Sequence, residues 1–247
     1  MDLSVTRTAT PIVPPPAETR RASAVRLEDV IKVYRESDME TIALRGVDLD
    51  VPAGEFVAVM GRSGSGKSTL LNLVAAVDRP TAGRVLLDGI DIARAGDEVR
   101  QRLRRGTVGI VFQSQNLVPS LDLVENVCLA AALGGRPLTR AGARDLLGQV
   151  DVADRGGHRP DHLSGGEQQR AALACVLAAR PRILLADEIT GELDTANGAL
   201  VLHLVREIHR SAGLTVLLVT HDPVVADRAD RIVELRDGRI VGDRRSG

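Results

Sequence analysis

The residues Gly61-Arg62-Ser63-Gly64-Ser65-Gly66-Lys67-Ser68 follow the spacing G-x-x-x-x-G-K-[ST], which can hold a chain of phosphates. Gly64 and Gly66 let the backbone turn so that its N–H groups point inward. A helix opening directly behind the loop aims its positive end at the same place. Lys67 adds a compact ammonium that fits between phosphate oxygens, where a planar guanidinium would not replace it. The chain has thirty arginines and only two lysines, Lys32 and Lys67, so composition does not account for a lysine at this position.

Phosphoryl transfer also needs a metal, a positioned water and compensation of charge in the transition state. Ser68 offers a hydroxyl to Mg²⁺. The apolar run Ile183-Leu184-Leu185-Ala186 ends in Asp187 and Glu188, which puts two carboxylates at the carboxyl edge of a sheet, beside such a loop. In this pairing Asp187 holds the metal through water and Glu188 polarises the attacking water. His221 follows the run Val216–Thr220, and Gln113 follows the run ending in Phe112. A histidine at a strand end is usually structural when it stands alone. Here it completes a series.

The elements that must position these groups are legible. Phe56–Met60 is a buried-type strand and Thr69–Val74 continues as a helix, giving the strand–loop–helix context that the phosphate loop requires. Val47, Leu49 and Val51 alternate with Asp48 and Asp50 in a strand with one wet face, closed by Pro52-Ala53-Gly54. Arg84–Leu87 is a strand ended by Asp88-Gly89, and Val108–Phe112 is another. The stretch 97–105 predicts a short, basic, solvated helix. Leu200, Val201, Leu204, Val205 and Ile208 trace one apolar face of a helix over about 195–210. A strand at 214–219 and a hairpin across Asp237-Gly238 close the chain. Strands alternating with helices predict an α/β fold with a mostly parallel sheet. From 114 to about 165, β-type runs vanish, which predicts an inserted helical lobe. Residues 1–22, rich in proline and without periodicity, are expected to be a disordered tail before a domain spanning 23–247.

About a hundred residues after the phosphate loop comes Leu163-Ser164-Gly165-Gly166-Glu167-Gln168-Gln169-Arg170. This resembles the signature of ATP-binding-cassette (ABC) proteins, and residues 25–243 resemble their P-loop nucleotide-binding domain motif by motif. The resemblance implies ATP held by Tyr34, which stacks on the base, by the loop through Thr69, and by Gln113. Mg²⁺ contacts Ser68, Gln113 and Asp187. Glu188, His221 and Lys67 carry the reaction. Residues Leu163 to Gln168 and the Asp194 of Gly191-Glu192-Leu193-Asp194 would act on the opposite subunit of an ATP-dependent dimer. The implied partners are a second copy and an integral-membrane permease, with the protein peripheral on the cytoplasmic face of the membrane. Shorter matches, such as Val77–Gly83, Leu87-Asp88-Gly89 and Glu125-Asn126-Val127, resemble the lipoprotein-release and macrolide-exporter group, implying export or extraction of a substrate from the membrane. The chain departs from the family at Arg62 and Ile189, where proline is usual, at Glu192, where asparagine is common, and at Gln115, where an aromatic is common in the groove that meets the permease.

Composition narrows the alternatives. A net charge of -1 argues against bulk electrostatic nucleic-acid binding. The longest apolar run, Ala171–Ala179, is too short to span a bilayer, and the amino terminus lacks the continuous apolar stretch of a signal peptide. Cys128 and Cys175 lack metal-ligand or redox spacing and read as small apolar residues. A non-transport ATPase regulating a membrane protein in division or signalling is the second reading. A nucleic-acid-associated ABC ATPase, which usually carries coiled coils, zinc inserts or two cassettes, is the third.

Overall fold

In a computed structural model the chain is described over residues 22–36, 39–113 and 117–246. The expected tail, apart from Ala22, therefore lies outside the described residues, as do Gln115 and Asn116. The strands are β1 (Ser23–Glu36), β2 (Met39–Pro52), β3 (Phe56–Met60), β4 (Ala82–Leu87), β5 (Ile90–Asp91), β6 (Val108–Val111), β7 (Ile183–Asp187), β8 (Thr215–Thr220), β9 (Arg231–Arg236) and β10 (Arg239–Arg245). The α-helices are α1 (Lys67–Val74), α2 (Asp97–Gly106), α3 (Leu123–Leu133), α4 (Arg140–Gln149), α5 (Gly165–Ala178), α6 (Thr195–Ala212) and α7 (Pro223–Ala226).

The strands make two sheets. An antiparallel sheet has the order β2-β1-β4-β5, and a six-stranded sheet the order β10-β9-β3-β8-β7-β6. In the second sheet β6, β7, β8, β3 and β9 are parallel and only β10 runs against its neighbour. Its inner strands read as nearly unbroken apolar runs because both faces are covered. Alternate residues serve different cores. Phe56, Ala58, Leu184 and Leu218 face a cluster built with α3, α4, α5 and α6, whereas Val57, Val59, Leu185 and Leu217 face one built with β1, β2, β4 and α1.

The register is what matters for chemistry. Met60 of β3 pairs with Thr220 of β8, and Val219 of β8 pairs with Asp187 of β7. The phosphate loop, His221 and the two acids thus leave three adjacent strands at one level of the carboxyl edge. Between Val111 and Ile183 the described residues contain helices and short 3-10 turns but no strand. Caps fix where these helices begin: Asp122 and Glu125 form a reciprocal capping box on α3, Thr139 caps α4, and Ser164 with Glu167 does the same for α5.

Two sequence expectations need correction. The buried face of α6 is Gly198, Val201, Leu202, Val205 and His209, while Leu200, Leu204 and Ile208 are only half-buried. The apolar pattern missed His209 because its polarity is internally satisfied. Nδ1 donates to the Leu214 carbonyl at 2.7 Å, and the ring packs edge-on against Phe56, with centroids 5.5 Å apart. Nor is α2 wholly solvated. Leu103 is buried, and Arg104 donates to the Ala76 carbonyl at 2.6 Å, docking the helix beside the end of α1.

Two glycines separate the effect of backbone conformation from that of space. Gly83 and Gly89 have nearly the same left-handed φ, 82° and 80°. A Cβ on Gly83 would lie 2.2 Å from the Asp29 carbonyl oxygen, whereas one on Gly89 meets nothing within 4 Å. Gly89→Ala should cost about 1–2 kcal/mol, the left-handed penalty alone. Gly83→Ala should cost at least about 1–3 kcal/mol more, because the adjoining strand must move. Urea unfolding of both variants measures the difference, and equal losses would show that β1 and β4 are less closely apposed than described.

Candidate functional site

The phosphate loop has the conformation its glycines permit. Gly64 and Gly66 adopt φ of 78° and 105°. A Cβ on Gly66 would lie 2.6 Å from the Ala43 carbonyl oxygen, so β2 as well as the loop geometry requires glycine there. The Lys67 side chain turns back into the loop, and Nζ donates to the carbonyls of Gly61 at 2.8 Å and Arg62 at 3.0 Å. Lys67 is only 6% exposed, and among the described residues no carboxylate lies within ion-pair distance of it. A buried ammonium held by loop carbonyls keeps a positive charge at the centre of the loop. It leaves the loop poised for an anion. Arg62, Ser63, Gly64 and Ser68 are exposed around it.

At the neighbouring strand ends, Asp187 is half-buried. Desolvation first, then the nearby Glu188, pushes its carboxyl above the usual range, and Lys67 opposes the rise. Glu188 stands in the left-handed region at φ 46°, a conformation that costs a non-glycine residue energy and turns its side chain away from the strand direction. It meets His221 there, whose Nδ1 is 3.3 Å from Glu188 Oε1. His221 is otherwise largely open to solvent. Gln113 closes a second side, its Nε2 donating to Glu192 Oε1 at 3.4 Å.

The signature residues occupy the start of α5. Ser164 Oγ accepts from the Glu167 amide, and the Glu167 carboxylate accepts from both the amide and the hydroxyl of Ser164 at 2.9 Å. Those two bonds, aided by Arg155, hold the Glu167 carboxyl down at about 2. Gln168 donates to the carbonyls of Pro160 and Leu163, fixing the approach to the helix. Gly165 and Gly166 abut the segment ahead of α6 and its first turn: a Cβ on Gly165 would lie 3.6 Å from Leu193, and one on Gly166 2.5 Å from Asn197 Oδ1. Asp194 caps α6 by accepting from the amides of Ala196 and Asn197.

The fold therefore makes two groupings. The loop 61–68, Asp187, Glu188 and His221 converge at one sheet edge. Leu163–Gln168 and Gly191–Asp194 pack on one another, with Gln113 beside Gly191 and hydrogen-bonded to Glu192. A cavity of about 640 Å³ opens beside the loop, lined by Gly61–Ser65, His221 and the β9–β10 turn, and no signature residue lines it. Tyr34 stands on β1, 36% exposed, and its phenol donates to Asp78 Oδ2 at 3.0 Å. Sequence reasoning placed Gln169 in the signature stretch without a role; its Nε2 donates to the Phe112 carbonyl at 3.1 Å and ties the signature helix to the strand end before Gln113. That reasoning missed Asp78, for which polarity in a loop gave no signal.

The fold and this edge define a P-loop ATPase cassette. The chain belongs to the ABC transporter family, whose family profile matches residues 44–191. It is 50% identical to the lipoprotein-releasing system ATP-binding protein LolD of Anaeromyxobacter dehalogenans, over 94% of this chain and 99% of that protein. It is 47% identical to the macrolide export ATP-binding/permease protein MacB of Brucella melitensis, over 90% of this chain but 34% of that protein. The chain thus spans about a third of the macrolide-export relatives it matches. Among solved structures, the ATP-binding cassette MJ0796, as a post-hydrolysis dimer bound to ADP and Pi, superposes with a TM-score of 0.84 at 38% identity, covering 90% of this chain and 99% of that one.

The α5 cap has a pH signature. Glu167 titrates near 4.5 when unfolded and near 2 when folded, so its contribution is complete above pH 4.5 and is lost as pH falls through 2. Glu167→Ala should therefore destabilise the protein by about 1 kcal/mol at pH 7, as loss of a capping interaction does. The gap between wild type and variant should narrow from pH 4.5 downward. Urea unfolding at pH 7, 4 and 3 tests this, and a constant gap would exclude the ionised cap.

Proposed function

We propose that this chain is the ATP-binding and ATP-hydrolysing subunit of a transporter, and that it acts as a pair of copies closing on ATP to move a separate integral-membrane permease. The observation that carries the reading is Lys67, a buried cation seated on the carbonyls of its own loop, at the sheet edge where strand register brings Asp187, Glu188 and His221 together. The chain's 50% identity across nearly all of a lipoprotein-releasing system ATP-binding protein supports the reading. Among the described residues no helix is long and apolar enough to cross a membrane. The same kinship supports export or extraction of a substrate, with the subunit peripheral on the cytoplasmic face.

In this reading the loop amides and Lys67 bind the β- and γ-phosphates of ATP. Ser68, Gln113 and Asp187 would hold Mg²⁺, which neutralises charge on the transferring group. The oxygen donors of that set suit a hard cation. Glu188 accepts a proton as water oxygen bonds to the γ-phosphorus and the bond to the bridging oxygen breaks, leaving ADP and phosphate. His221 orients Glu188 and reaches the γ-phosphate. Because the signature lies away from the loop in one chain, a second copy would present Ser164–Gly166 to the exposed side of Gly64–Ser68, and Asp194 beside it.

Glu188→Gln should bind ATP but turn it over at least about 100-fold more slowly, since the amide cannot accept the proton. In sedimentation the variant should shift from monomer to dimer on adding ATP, because two nucleotides become part of the contact. Near-normal turnover would remove Glu188 from this role, and an ATP-independent mass would count against the pair.

A further inference from the structure

The two sides of a nucleotide must be met at a fixed separation, yet Tyr34 is on the antiparallel sheet and the phosphate loop on the parallel one. Asp78 links them through its side chain. Asp78 follows α1, and its amide and that of Val77 donate to the Asn72 carbonyl, closing the end of the phosphate-loop helix. Its Oδ2 accepts from the Tyr34 hydroxyl at 3.0 Å. Its Oδ1 accepts from Lys32 Nζ at 2.7 Å, and the same ammonium donates to the Arg79 carbonyl and lies 4.8 Å from the centre of the Tyr34 ring. The backbones are pinned alongside, with Val33 N donating to Thr81 Oγ1 at 3.0 Å and Thr81 N to the Ile31 carbonyl at 2.8 Å.

We propose that Asp78 is a positioning residue for the nucleotide base: with Lys32 it clamps the Tyr34 ring at a set distance from the phosphate loop. The proposal rests on the reading of Tyr34 as the base-stacking residue. An exposed tyrosine on a strand would otherwise sample several rotamers, and binding would have to offset the entropy of fixing it. The hydroxyl bond to Asp78 and the cation against the ring remove that freedom beforehand. Asp78 remains a carboxylate at neutral pH. Burial opposes its ionisation, but Lys32, the Arg79 amide and the Tyr34 hydroxyl together hold it below the usual range. On the phenol, burial raises the pKa, the Thr69 side chain opposes the rise, and Asp78 adds to it. Lys32, one of only two lysines, thus has a use beside the nucleotide but no contact with phosphate in the account.

Four variants test the clamp, with ATP and tripolyphosphate as ligands in equilibrium titrations. Tyr34→Ala, which removes the ring, should weaken ATP about tenfold or more and leave tripolyphosphate unchanged. Tyr34→Phe and Asp78→Asn should each weaken ATP on the order of fivefold, part of that stacking loss, and also spare tripolyphosphate. Asp78→Asn added to Tyr34→Ala should cause no further loss of ATP affinity. The chain has no tryptophan and a single tyrosine, so its emission reports Tyr34 alone, and Asp78→Asn should change it before nucleotide is added. Should Asp78→Asn fail to fold, Tyr34→Phe carries the test, since it deletes only one oxygen at a part-exposed site. ATP binding like wild type in Tyr34→Phe, beside a weakened Tyr34→Ala, overturns the clamp and leaves base stacking intact. An unweakened Tyr34→Ala overturns both. Loss of tripolyphosphate in Asp78→Asn assigns the residue to the shape of α1 and overturns the clamp as well.

Discussion

A buried ammonium seated on the carbonyls of its own loop is the constraint on which the rest of this structure depends. Lys67 can sit at 6% exposure only because the carbonyls of Gly61 and Arg62 accept its protons. Those carbonyls point inward only because Gly64 and Gly66 turn the loop through conformations that other residues rarely adopt. The loop in turn is held between β3 and α1, which accounts for the closeness of β2 to Gly66 and the apolar content of β3. Carbonyls offset part of the cost of burying the charge, and an anion would offset the remainder. The same positive charge opposes the rise that burial imposes on Asp187.

Around this point the chemistry is divided between rigid and exposed parts. Strand register sets Asp187 and the start of the loop at one level, and β8 between them delivers His221. Glu188 pays a conformational cost at φ 46° to reach His221. The signature grouping is equally well built, with its capping box and its seat on Asn197, but it is built elsewhere. Gln169 ties the signature helix to the Phe112 carbonyl, and the adjacent Gln113 donates to Glu192. A displacement of the signature helix would therefore be felt at the strand end that carries Gln113.

Much of this was legible in the sequence, for physical reasons that differ by element. The parallel strands announce themselves because both faces are buried, so Phe56–Met60 and Ile183–Ala186 are unbroken apolar runs. The two Asp-Gly turns are legible because Asp88-Gly89 and Asp237-Gly238 both need left-handed residues. The groupings at the site followed from motifs whose residue types have few other uses. What was hidden depends on contacts between distant segments. His209 reads as polar until the Leu214 carbonyl and Phe56 are placed beside it. Arg104 reads as solvated until the carbonyl of Ala76 is found 2.6 Å away. Asp78 and Lys32 are forty-six positions apart, and no local pattern joins them.

The central claim is that each catalytic site takes its phosphate loop from one copy and its signature from another. Mixing two inactive variants tests it most directly. Lys67→Ala disables every loop it contributes, and Ser164→Arg every signature. In a mixed pair one site combines both lesions and the other combines neither. Equal mixing should therefore restore about a quarter of wild-type ATPase activity, since half the pairs are mixed and each has one intact site of two. A mixture as inactive as its components would contradict the account.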